Sequence, residues 1–234
     1  ILSWGQLVMT GGTVENNTAT DNGGGIHFNI PDYAASMAAR IGGSVLIRGN
    51  KAAKSGGGVT VGNRTKATMD GGSVTGNTVT GTADGGGGVR VFGNSVLTLS
   101  GGEISGNTAP KTGAGLTVGG QVIMTGGSIK NNTVPNSTPH EGGGGVRLYA
   151  GSKMTASGGE ISGNKARWGA GVRIDGPYQD SPTAEFVLSG ATVSGNVIND
   201  PYNNGGGFNN GGEMMNTTGR GGGEKGAGEK HITI

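Results

Sequence analysis

The sequence predicts an all-β fold: a right-handed single-stranded parallel β-helix of about seven to eight coils, with three short strands per coil. Three observations predict it. A segment of the form [V/I]xxN recurs, ending at Asn17, Asn50, Asn77, Asn107, Asn132, Asn164 and Asn196, at spacings of 33, 27, 30, 25, 32 and 32 residues. Each segment is followed, after a variable polar stretch, by a glycine cluster and a strand-like triplet: GGGIHF, GGGVTV, GGGGVRV, GAGLTV, GGGGVRL, GAGVRI and a degenerate GGGFNN. The composition is also unusual: 55 of 234 residues are glycine, 32% are hydrophobic and ten are aromatic. That is poor material for a layered globule. It suffices for a narrow stack, in which only alternate residues of each short strand turn inward.

The elements follow in order within a unit. A strand-like stretch ending in a Gly-Gly pair comes first, as in LVMTGG, ATMDGG, LTLSGG, VIMTGG and MTASGG. The [V/I]xxN strand follows, with Ile104 expected to stack on Val74 and Ile129 of the adjacent coils. In the second unit GGSVLIRGN, at 42–50, reads as the first stretch running straight into IRGN with its Gly-Gly pair lost. The repeated Asn is expected at a tight corner, where it tolerates the left-handed conformation and bonds its amide to the same amide in the coils above and below. Glycines serve corners that leave no room for a Cβ. The last glycine of each cluster lies 8, 8, 11, 8, 13, 7 and 11 residues beyond its Asn, so insertions enter there as a surface loop. Residues 1–208 form the repeat domain, and 209–234 an imperfect terminal coil or extension ending in the strand HITI.

Several classes are excluded or disfavoured. Collagen needs a strict Gly-X-Y triplet, whereas these glycines cluster. Disorder needs high net charge, and the formal charge is +2. Such a thin, balanced charge does not suit nucleic acid. Without cysteine there is neither a disulfide framework nor a thiolate metal site. No stretch is long and apolar enough to span a membrane as a helix. The opening ILSWGQL has no initiator Met or charged n-region and reads as the start of an internal or processed segment.

In this order the repeat resembles that of the chlamydial polymorphic outer-membrane proteins, in which FxxN is followed by GGA[ILV]. Here [VI]xxN is followed by GGG[VI] or GAG[LV] over about residues 9–208. Similar arrays occur in many bacterial surface β-helix repeat proteins. The resemblance implies an exported stalk or adhesin passenger, extracellular or on a bacterial surface. Val or Ile replaces the family's Phe, and no translocator barrel lies within these residues.

Chemistry is sparse, and no cofactor or metal is expected. Polysaccharide-active β-helices use clustered carboxylates with Arg or Lys. Asp21, Asp70, Asp84, Asp175, Asp180 and Asp200 occupy different points of the repeat. Glu103 and Glu160 share a position two coils apart, about 9.6 Å by strand spacing, and read as solvated surface acids with no third group. His27, His140 and His231 lack ligand spacing, and the glycine runs lack the GK[ST] of a phosphate loop. Trp168 either plugs a corner or displays its ring. The sequons at Asn16, Asn63, Asn131, Asn136 and Asn216 are chance products of an Asn- and Thr-rich array.

One constellation stands out. Outward positions of the triplets carry Arg90 with Phe92, Arg147 with Tyr149, and Arg173 with Asp175. Arg90, Phe92, Arg147, Tyr149 and Arg173 therefore form a candidate surface for a glycan or protein partner, two rings being separated by a coil bearing Thr117 and Gly119. The competing reading is architectural, with Arg stems covering the sheet. The expected function is a non-enzymatic structural or adhesive surface module. The alternatives are a filament subunit stacking head to tail through open coil ends, and a polysaccharide lyase or hydrolase. Ice binding needs regular outward Thr ranks, and the mixture of Thr, Ser, Glu, Lys and Arg speaks against it.

Overall fold

A computed structural model describes residues 1–30, 36–81, 85–135, 142–178, 182–199, 208–210 and 230–232. No helix occurs among them. The chain winds as a parallel β-solenoid. One sheet stacks the triplets that follow the glycine clusters, from Leu2–Ser3 through Ile26–Phe28, Val59–Val61, Val89–Val91, Leu116–Val118, Val146–Leu148 and Val172–Ile174 to Phe208–Asn210. A second sheet of eleven strands carries the stretches on either side of the Gly-Gly pairs. Along a third edge run two-residue strands just after each ladder Asn, such as Lys51–Ala52 and Thr78–Val79, continued by bridges through Thr108 and Thr133 to Lys165.

The Asn ladder is present at all seven positions. At Asn50, Asn77, Asn107, Asn132 and Asn164, each fully buried, the carboxamide uses its whole bonding capacity. In Asn107, Oδ1 accepts from the backbone N–H (2.9 Å) and Nδ2 (3.1 Å) of Asn77. Its Nδ2 donates to the carbonyl of Val74 (2.9 Å) and to Oδ1 of Asn132 (3.0 Å). The carbonyl acceptor belongs to the apolar residue of the preceding coil's [V/I]xxN, which explains why that residue and Asn recur together. Aspartate has no N–H to give and would stack like charges. Six side-chain links join the seven Asn, so the ladder marks six full turns rather than seven to eight coils; the sequence count included partial turns at both ends.

The conformational role expected of the ladder Asn belongs to its neighbour. The residue before it is left-handed: Gly106 has φ of 60°, and Asn16 and Asn131 take the same place at 58° and 55°. None of the seven ladder residues has positive φ. The ladder Asn needs ordinary backbone geometry to aim its amide along the stack, so the preceding residue makes the turn.

Three further differences concern strands. The two segments flanking Gly-Gly fuse into one bent strand, as in Val96–Ser105, because the pair forms a bulge with register shifts and does not end pairing. The second unit keeps its Gly-Gly at Gly42 and Gly43, after a strand Met37–Ile41 that pairs with Leu7–Met9 and Thr65–Thr75. MAARI has little intrinsic strand preference, and rung pairing overrides that. The third-edge strands are only two residues long, too short for alternation to reveal.

The main core consists of inward columns. Val14, Ile47, Val74, Ile104, Ile129, Ile161 and Val193 stack in register, as expected for Ile104. A smaller cluster of Val79, Ala109, Ala114, Val134, Ala166 and Ala170 fills the third edge. Gly88 shows why the last cluster glycine is fixed. A Cβ there would lie 2.7 Å from Asn107 Nδ2, 2.7 Å from the Gly115 carbonyl and 2.8 Å from Ile104 Cγ2.

Three outcomes are expected. Asn107→Ala takes the side-chain partner from the Asn77 N–H and the Val74 carbonyl and leaves Asn132 Oδ1 with one of its two donors, the residue-107 N–H, costing on the order of 3 kcal/mol in urea unfolding. Asn107→Asp buries a carboxyl whose folded pKa is raised above its unfolded value, so its stability is higher at low pH and falls as pH rises through the folded pKa; equal urea midpoints at pH 4 and pH 8 would refute this. Gly88→Ala should cost about 1–3 kcal/mol by overpacking, whereas Gly5→Ala, with nothing within 4 Å of the new Cβ, should be near neutral in thermal melts.

Candidate partner surface on the first sheet

The outward column of the first sheet runs in register through His27, Thr60, Arg90, Thr117, Arg147 and Arg173. The five predicted residues are brought together, but more tightly than the sequence suggests. The Arg90 guanidinium lies 4.7 Å from the Phe92 ring centroid and 4.9 Å from that of Tyr149, two coils away. The small Thr117 between them, together with Gly119, leaves room for this reach; a Cβ on Gly119 would be 3.5 Å from Arg90 Nη2. Arg147 packs on Tyr149 from 4.7 Å. The rings are thus joined by Arg90, not held apart by an empty coil.

Asp175 completes the column. Its Oδ2 accepts from Arg147 Nε (3.0 Å) and Nη2 (2.8 Å), and its Oδ1 from Arg173 Nε (3.0 Å). The sequence places Asp175 beside Arg173 but does not reveal that it also binds Arg147 one rung below. Arg90 and Arg173 are 6% and 8% exposed, so most of each guanidinium stem is covered. Burial pushes Arg173 below the ordinary guanidinium range, with the attraction of Asp175 opposing and the repulsion of Arg147 adding. Phe92, Arg147 and Tyr149 are half-buried and form the accessible part of the column.

On the second sheet, Glu103 and Glu160 flank Ser128 in register. Lys130, from the rung between, reaches Glu103 Oε2 at 2.8 Å. This third group was missed because Lys130 lies two residues along from the Ser128 position and occurs in one unit alone. Burial pushes the Glu103 carboxyl up, but hydrogen bonds from Lys130 and Ser105 and the charge of Lys130 outweigh it, and the group is held below its usual range. Lys130 is raised, first by its hydrogen bond to Glu103. A general acid requires a raised carboxyl and a lysine base a lowered amine, so the shifts suit neither of those two roles.

His27 stands on the first sheet, in register with Thr60, and burial holds it below the ordinary imidazole range. His140, Asp84, Asp180, Asp200, Asn136 and Asn216 lie outside the described residues. Among the described residues no three His, Cys, Asp or Glu side chains converge on a metal position. Trp168 is half-buried with its Nε1 enclosed, a corner plug rather than a displayed ring.

With this geometry in place, the chain matches the family model described as "Right handed beta helix region", over residues 34–174 and again over 73–221. It belongs to the right-handed β-helix family. No match was found among curated proteins or solved structures.

A carboxyl titration followed by NMR should place Glu103 below an ordinary glutamate, and Lys130→Met should move it upward. The pair's contribution to stability is present above the unfolded pKa of Glu103 and lost as pH falls through its folded value; an unmoved titration in the variant would contradict the pairing.

Proposed function

We propose that this chain is a non-enzymatic structural or adhesive module, exported and displayed at a bacterial surface as a stalk or adhesin passenger. One observation carries the reading: the side chains that recur from coil to coil are committed to holding rungs together. The buried Asn carboxamides are saturated by one another and by backbone, and Glu103 is paired with Lys130. The repeat order [VI]xxN, then GGG[VI], supports the likeness to the chlamydial passengers.

The partner-binding part of this reading lies on the outer edge of the column formed by Arg90, Phe92, Arg147, Tyr149 and Arg173. Stacked guanidinium groups hold the two rings rigid, and a preorganised aromatic edge beside a bidentate Arg suits a glycan or protein contact with little ordering cost. Right-handed β-helices also serve as polysaccharide-active enzymes, and the test separates the two. Incubation with pectin, alginate and related polymers, with and without Ca²⁺, should release no product; release of unsaturated or reducing ends would overturn the non-enzymatic reading. On a glycan and protein array, the double substitution Arg147→Ala with Tyr149→Ala should abolish the signal given by the parent chain. Binding that survives it would remove this surface.

A further inference from the structure

One pairing breaks the rule of the fold. Every other strand pair among the described residues is parallel, but Lys230–Ile232 lies antiparallel on Glu185–Leu188, with Phe186 opposite Ile232, Val187 opposite His231 and Leu188 opposite Lys230. Glu185–Leu188 is the last parallel strand on that path of the second sheet, so its outer edge is where another rung would add. We infer that Lys230–Ile232 is an edge-closing strap, which keeps the Glu185–Leu188 edge of the second sheet from templating a strand of a second copy.

The argument rests on the geometry of pairing. A parallel ladder has evenly spaced, slanted bonds, whereas an antiparallel pair alternates close and wide bonds perpendicular to the strands. A strand laid antiparallel therefore uses the edge without reproducing the pattern that a further coil would need. Exposed strand edges promote edge-to-edge association, and covering them is a common remedy. The opposite end has no such cover among the described residues. Leu2–Ser3, Leu7–Met9 and Thr13–Glu15 each pair on one side alone, and Ile1, Leu2, Trp4 and Val8 are exposed there. At the strapped end Thr192–Ser194, Val197–Ile198 and Phe208–Asn210 also pair on one side alone, so the two ends differ in one path, which is covered at Glu185–Leu188 and open at Leu7–Met9. This inference depends on the fold and not on the adhesive reading.

Amide hydrogen exchange on the 234-residue chain tests the contact directly. The backbone amides of 230–232 should exchange far more slowly than in a free peptide, and exchange at the free-peptide rate overturns the strap. His231→Pro removes a backbone donor and should release the strand. The released chain should show a sedimentation coefficient that rises with concentration while the parent's stays constant, with protection at Asn107 unchanged as proof of an intact stack. A variant that remains as monomeric as the parent, or a parent that associates equally, refutes the inference.

Discussion

The structure depends on the side-chain amide that each rung passes to the next. Backbone pairing between parallel strands would leave neighbouring rungs free to slip by two residues without turning a side chain over. A buried carboxamide permits no such slip. It must find two donors below it, and above it an acceptor in the same column, or leave polar atoms stranded in a core. Register in the second sheet is thus set by Asn, and the Val or Ile three residues before each Asn contributes both inward methyl groups and the carbonyl that completes the set of the Asn in the next coil.

From that constraint the glycines follow. Gly88 stands where the carboxamide of Asn107 passes, and Gly115 stands in the same relation to Asn132. The lengths between these fixed points are free, which is why the stretch after each ladder residue absorbs the variation. The architecture also accounts for two sequons. A left-handed Asn, a ladder Asn and a Thr that begins the third edge together spell the acceptor pattern at Asn16 and Asn131. Neither needs a glycan to explain it.

Much of this was legible in the sequence because rung stacking repeats its demands at a visible period. The ladder, the inward columns and the first-sheet triplets were read from recurrence alone. What was missed lies where the physics is not periodic. MAARI forms a strand because its neighbours on both sides are strands, a tertiary effect invisible in its own letters. Lys130 meets Glu103 diagonally across rungs, and Asp175 bridges two Arg side chains on successive rungs; neither contact recurs. The candidate surface residues do lie together, but the reach of Arg90 past Thr117 to Tyr149 depends on a small residue in another coil, which no single unit displays.

The ladder also has a direction. In each linked Asn the carbonyl oxygen faces the preceding turn and one amide hydrogen reaches the following Asn, the other returning to a carbonyl of the preceding turn, while alternating strand bonds largely cancel. The ladder's carboxamide C=O dipoles therefore share one direction along the rod, their negative ends toward Asn17. Side by side, two such rods have their lowest dipolar energy when they point in opposite directions.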